Sequence, residues 1–186
     1  MSLAHSDQPL RDDHVHISAP HIYGSALEAL ELHAGSSQSF LNLGSGTGYF
    51  SCMVANILGP HAAHVAVEIN ARTIQYAQES LKQWQSANPD ITLPPIEMIH
   101  GNALQVDNEQ GEALTGFDRI YIGATLPRCK LDRIAQLLKP GGILVGPGKS
   151  YIVFLMPKEK WISPEFVVVL CLLFMLLFML LFMPSS

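Results

Sequence analysis

Cysteine is scarce in this 186-residue chain: there are three, Cys52, Cys129 and Cys171, far apart and without a CxxC pair. That spacing excludes a disulfide framework and a cysteine-rich zinc site, and it fits a reducing compartment. Charge is scarce as well, at 15% of residues. The 11 basic and 16 acidic side chains leave a net charge of −5. That balance argues against a nucleic-acid binder held by phosphate contacts, and no basic run reaches five residues. The acids gather early: residues 1–117 hold 12 acids and 3 bases, whereas residues 118–186 hold 4 and 8. Both halves read as ordinary solvated faces. The N-terminus has no apolar stretch and carries acids early, so no secretory signal is read there. The length suits one domain with a sizeable core.

Apolar residues are plentiful, at 48%, and they are unevenly placed. Residues 166–183 are 18 consecutive apolar residues in which LLFM occurs three times running. As a helix this stretch would span about 27 Å, close to the ~30 Å hydrocarbon core of a bilayer. Lys158 and Lys160 precede it, so the positive-inside rule would hold the body of the chain on the cytosolic side. Three readings stay open: a membrane anchor, a low-complexity end arising from a misread or recently altered gene, and an edge strand over residues 166–170. The resulting division is a disordered N-terminus (1–13), a globular domain (14–157), a linker (158–165) and the apolar tail (166–183).

Within the body, short apolar runs alternate with helical spacing. Strands are expected over residues 39–43, 64–68, 96–100, 117–122 and 142–145, with a sixth over 151–156. Helices are expected over 49–58, closed by Gly59-Pro60, over 71–86, closed by Asn88-Pro89, and over 131–138, closed by Lys139-Pro140-Gly141-Gly142. Alternation at this spacing predicts a parallel sheet covered on both faces, a doubly wound α/β domain.

The most informative stretch is Leu41-Asn42-Leu43-Gly44-Ser45-Gly46-Thr47-Gly48, placed where a strand runs into a helix. Glycines there let the backbone turn sharply and approach a ligand. The spacing is GxGxG rather than GxGxxG, and no Lys-Ser or Lys-Thr follows as a phosphate loop would require. Glu68 closes the next strand, where a carboxylate can accept from both hydroxyls of an adenosine ribose. Gly101-Asn102 and Gly123-Ala124 close two further strands. Ligands of open α/β sheets bind at those ends, near the switch point of strand order. The pattern is that of an adenosine-cofactor crevice. His14 and His16 form an HxH pair, but no cluster of further ligands follows, so no metal site is expected.

His16-Ile17-Ser18-Ala19-Pro20-His21, the GxGxG loop, residues 117–124 and Leu138-Lys139-Pro140-Gly141-Gly142 occur in the order found in protein-L-isoaspartate (D-aspartate) O-methyltransferases. Over residues 14–157 the chain resembles that family, and residues 40–60 are close to its isoaspartyl-methyltransferase-domain-containing relatives. The resemblance implies a Rossmann-like class I S-adenosylmethionine-dependent methyltransferase sandwich of seven strands. Here it would be shortened at both ends and followed by a C-terminal apolar helix. It also implies S-adenosyl-L-methionine as cofactor and isoaspartyl residues of damaged proteins as substrate; the cytoplasmic setting and the tether are read from the tail and the lysines before it.

By motif match, Gly44, Ser45, Gly46 and Gly48 would flank the methionine part of the cofactor. Glu68 would hold the ribose, Asn102 would lie beside the adenine, and Ser18 would lie between methyl donor and substrate carboxylate. From the residues alone, Ser18 can equally cap a helix beginning at residue 19. A carboxylate is already ionised at pH 7, so methylating it needs no general base, and alignment can supply up to about 7–11 kcal/mol. Three departures stand out. Only 17 residues precede Ser18, Gly101-Asn102-Ala103 replaces the family's Gly-Asp-Gly, and the final strand of the family is not visible. Two classes follow: a repair-type carboxyl methyltransferase, and an inactive cofactor-binding interaction protein on the same fold.

Overall fold

A computed structural model describes residues 6–13, 15–105, 116–124 and 128–146, together with the backbone of 152–155. The sheet is built from β3 (Phe40–Leu43), β4 (His64–Glu68), β5 (Ile96–His100), β6 (Phe117–Ile122), β7 (Leu138–Gly146) and β8 (Ile152–Leu155), in the order β5-β4-β3-β6-β7-β8. The first five of these pair in parallel, and β8 runs antiparallel to β7. The chain thus winds outward from β3 to β5, then returns to place β6 on the other side of β3. That reversal makes the C-terminal ends of β3 and β6 the switch point.

Alternation along the strands feeds two cores. Leu41 and Leu43 of β3 join Val65, Val67, Ile120, Ile122 and Leu144 beneath α4 (Leu131–Ala135), through Ile134. Phe40, Tyr121, Ile143 and Val145 face the other way, toward α1 (Pro20–Ala29) and α2 (Tyr49–Leu58) through Tyr23, Ala26, Phe50, Val54 and Leu58. Successive side chains of a strand point to opposite faces, so the all-buried β3 is coated on both sides. The fold is the doubly wound α/β sandwich that the alternation predicts. The remaining α-helix, α3 (Ala71–Ala87), is capped by Asn70, whose side chain accepts from the amides of Arg72 and Thr73.

Two expectations need adjustment. The helix expected over residues 131–138 stops at Ala135, and Lys139-Pro140-Gly141-Gly142 lies inside β7 rather than ending a helix. Leu138 already pairs with Phe117, and a register shift before Arg119 absorbs the extra residues. Gly142 sits in the crowded bend, where a Cβ would come 2.9 Å from the Lys139 carbonyl. The six strands of the sheet among the described residues are the five and the sixth that the apolar runs lead one to expect, one fewer than the family's seven. Finally, Leu10–Asp12, assigned by sequence to a disordered terminus, form β1 and pair with β2 (Val15–Ile17) in a short hairpin. Residues 166–183 lie outside the described residues, and among those described no helix is long and apolar enough to cross a membrane.

At the N-terminal ends of the strands, polar groups tie the layers together. Asp118 accepts from the Ser39 amide (2.8 Å), the Ser39 hydroxyl (2.7 Å) and Lys139 Nζ (2.7 Å). Burial pushes the Asp118 carboxyl up, but the Lys139 and Ser39 hydrogen bonds outweigh it and leave it below its usual range. Arg119 donates to the carbonyls of Leu30 and Glu31 just past the end of α1, anchoring that helix to β6.

Candidate functional site

The switch-point strand ends come unusually close. Gly44 and Ser45 both donate from their amides to the Val67 carbonyl, at 2.8 and 2.9 Å, and Gly123 donates to the Leu43 carbonyl at 2.8 Å. A Cβ on Gly44 would stand 2.7 Å from the Ala124 Cβ, and one on Gly123 would stand 2.6 Å from the Gly44 carbonyl. Neither position admits a side chain, so these two glycines set the separation of β3 and β6. Glu68, at the end of β4, reaches across to the loop. Its Oε2 accepts from the Gly46 amide at 2.9 Å, and its Oε1 from the Asn70 amide at 3.0 Å.

These ends form one wall of a crevice of about 350 Å³. His16 of β2, Ser18 in the link that follows it and Tyr23 of α1 line it as well, together with Phe50 of α2 and Tyr121 of β6. The rings are coupled, with Tyr23 stacked on Phe50 (centroids 5.3 Å apart, 21° between planes) and Phe50 tilted onto Tyr121 at 4.2 Å. Ile69 lines the mouth while 66% exposed. An apolar side chain this open to solvent at a crevice mouth suits a flat ring laid across it. Asn42 is the odd residue of an otherwise apolar strand. Its amide nitrogen donates to Ser51 Oγ at 2.9 Å, while its buried Oδ1 has no partner among the described residues. A buried acceptor left unpaired beside a crevice is a demand for a ligand donor, such as an ammonium group.

Of the residues singled out by sequence, Ser18, Gly44, Ser45, Gly46 and Glu68 all line this crevice. Gly48 lies behind it as the N-cap of α2, with φ of +74°, and a Cβ there would meet Ala77 and Met98. Asn102 is not among the lining residues, and its Oδ1 accepts from the Leu104 amide at 2.9 Å. Ser18 is not the cap of α1: the N-cap is Ala19, no side chain bonds there, and the helix begins at Pro20. Tyr23, Phe50, Tyr121 and Thr73 escaped the sequence reading because they look like core residues. The only local signal was Asn42, a polar residue in the middle of a buried strand. His14 lies outside the described residues.

The chemistry available is that of binding and orientation. Burial pushes the Cys52 thiol of α2 up, away from a thiolate nucleophile. Among the described residues no three His, Cys, Asp or Glu side chains gather as metal ligands. Backbone amides, the hydroxyl-bearing Ser18, Tyr23, Ser45, Thr73 and Tyr121, the Glu68 carboxylate and Asn42 line the cavity, a mixed set of donors and acceptors that suits a charged amino-acid nucleoside.

Comparison with known proteins decides the family. The sequence model of the protein-L-isoaspartate (D-aspartate) O-methyltransferase (PCMT) family matches residues 2–167. The chain belongs to this family. It is 32% identical over 148 residues to protein-L-isoaspartate O-methyltransferase 1 of Arabidopsis thaliana, covering 78% of this chain and 61% of that protein. It is also 32% identical over 158 residues to the Methanococcus aeolicus enzyme of the same family name, covering 84% and 67%. The PCMT-family chain therefore spans about two thirds or less of the curated relatives it matches. A Plasmodium falciparum protein described as a PCMT, solved with S-adenosyl-L-homocysteine, shares the fold with a TM-score of 0.63. Identity there is 26%, over 83% of this chain and 73% of that one.

Proposed function

We propose that this PCMT-family protein is an S-adenosyl-L-methionine-dependent carboxyl methyltransferase acting on L-isoaspartyl (D-aspartyl) residues of damaged proteins. The observation that carries the reading is the meeting of Ser18 with Gly44, Ser45, Gly46 and Glu68 around one crevice, from three segments distant in sequence. In this reading Glu68 holds the ribose and Ile69 covers the adenine. Asn42 Oδ1 accepts from the α-ammonium group, and the glycine loop lies against the methionine part. Asn102, with its side chain turned to Leu104, would reach the adenine only through its backbone.

When bound, the cofactor supplies a methyl group on a positively charged sulfur. The substrate carboxylate is ionised at neutral pH, so this chain's residues need only bind, orient and exclude water. Ser18 is suited to orient the carboxylate, because its hydroxyl is not committed to capping α1. His16 and the β1–β2 hairpin pack over the loop, with the His16 carbonyl 3.7 Å from where a Gly46 Cβ would be. They would shield the transfer from water.

The test is transfer of a radiolabelled methyl group by the full-length protein to an isoaspartyl peptide and to its aspartyl isomer. Transfer to the first alone is expected. A folded protein that binds S-adenosylhomocysteine calorimetrically but transfers nothing would instead be the inactive interaction protein. The apolar tail, on its sequence alone, is proposed to tether the domain to the cytosolic face of a membrane. Membrane-bound protein resistant to alkaline carbonate is expected, and carbonate release would remove the tether from the reading.

A further inference from the structure

Two polar groups in the crevice have hydrogen-bonding capacity that no described residue uses, and they are opposite in kind. Asn42 Oδ1 is a buried acceptor without a donor among the described residues. Tyr23 carries the converse. Its hydroxyl oxygen accepts from the Ser18 amide at 3.0 Å, and no described residue accepts the phenolic proton. A phenol has one proton to give besides the lone pairs that accept, and buried tyrosine hydroxyls ordinarily find a partner. Tyr23 is 8% exposed and lines the crevice beside Ser18, which leaves the crevice as the place for an acceptor of that proton. Its ring is fixed between Phe50 and Tyr49, at centroid distances of 5.3 and 5.7 Å. The hydroxyl is therefore held in place before any ligand arrives. Accepting from Ser18 also polarises the O–H and strengthens what it can donate.

We propose that Tyr23 is the second hydroxyl of the transfer site, holding Ser18 in place and donating to the substrate carboxylate oxygen that does not attack. This rests on the methyltransferase reading above. In the transfer step, a lone pair on the attacking oxygen forms the new C–O bond as the C–S bond breaks and its electrons return to sulfur. The negative and positive charges cancel, and no proton moves. A donor on the attacking oxygen would hold back its lone pair; a donor on the other oxygen fixes the group while leaving the nucleophile free. Two acceptors in this crevice share that chemistry, the substrate carboxylate and the carboxylate of the cofactor's amino acid. The bond to Ser18 assigns Tyr23 to the substrate.

The experiment uses full-length Tyr23→Phe, which keeps every ring contact and removes one oxygen. Calorimetry with S-adenosylhomocysteine should give a Kd within twofold of wild type. Affinity of the S-adenosylhomocysteine-loaded protein for an isoaspartyl peptide, and kcat/KM for its methylation, should each fall on the order of 10- to 100-fold, the size of one charge-assisted hydrogen bond. Hydrogen exchange at the Ser18 amide should accelerate, since its acceptor is gone. Folded Tyr23→Phe with unchanged peptide affinity and turnover would make Tyr23 a core residue only, leaving the enzyme reading intact. An equal loss of S-adenosylhomocysteine affinity with peptide affinity unchanged would give the bond to the cofactor and overturn the substrate role. A wild-type protein that binds neither ligand overturns the enzyme reading, and this proposal falls with it.

Discussion

Acid should weaken this fold through one histidine. His64 opens β4 at the end of the sheet opposite the crevice; it is 3% exposed, and neither ring nitrogen has a partner among the described residues. Its ring meets Phe40 edge-on at 4.8 Å. Burial lowers its pKa from 6.5 to about 3, so the folded protein holds a neutral imidazole where the unfolded chain protonates readily. The unfolded state binds the extra proton, and stability is therefore full above pH 6.5 and declines as pH falls from there toward 3. Between pH 7 and pH 5 the linkage amounts to roughly 2 kcal/mol from this residue, or roughly 4–8 °C in Tm for a domain of this size. His64→Leu removes the titration at little change in volume. It should also be neutral or stabilising by about 1 kcal/mol at pH 7, because two unpaired buried nitrogens disappear. Thermal melts of both proteins at pH 7 and pH 5 give the comparison. A pH 7 to 5 loss that is the same in His64→Leu as in wild type would refute the argument.

Glu68→Ala loses the acceptor for the Gly46 amide as well as any ribose contact, so S-adenosylhomocysteine binding by calorimetry should weaken by about 1.5–3 kcal/mol. Ser18→Ala should lower turnover while leaving that affinity within about threefold, and Tm should hold because Ser18 caps no helix. Asp118→Asn removes the charge that Lys139 pairs with and disturbs both Ser39 bonds. A loss of about 1–2 kcal/mol in denaturant melts, with cofactor affinity intact, is expected because the cluster lies at the far end of the sheet.

The sequence by itself determined the sandwich and half of the crevice. Strand runs such as His64–Glu68, bounded by Gly59-Pro60 and the capping Asn70, are local facts of period and punctuation. The glycine loop announces its own geometry because only glycine tolerates its dihedrals and close approaches. Glu68 was legible for the same reason, as a carboxylate at a strand end a fixed distance beyond that loop. Tertiary structure decided the rest. Whether Tyr23 and Tyr121 are core or crevice depends on which helix packs over which strand, and Asn102 turned away from the crevice to bond the Leu104 amide. The Lys139-Pro140-Gly141-Gly142 segment reads as a helix stop but lies in β7, because pairing with β6 on both sides of a bulge outweighs its turn propensity. Local chemistry fixes which elements form; only their packing across the sheet fixes which side chains meet, since those contacts join residues far apart along the chain.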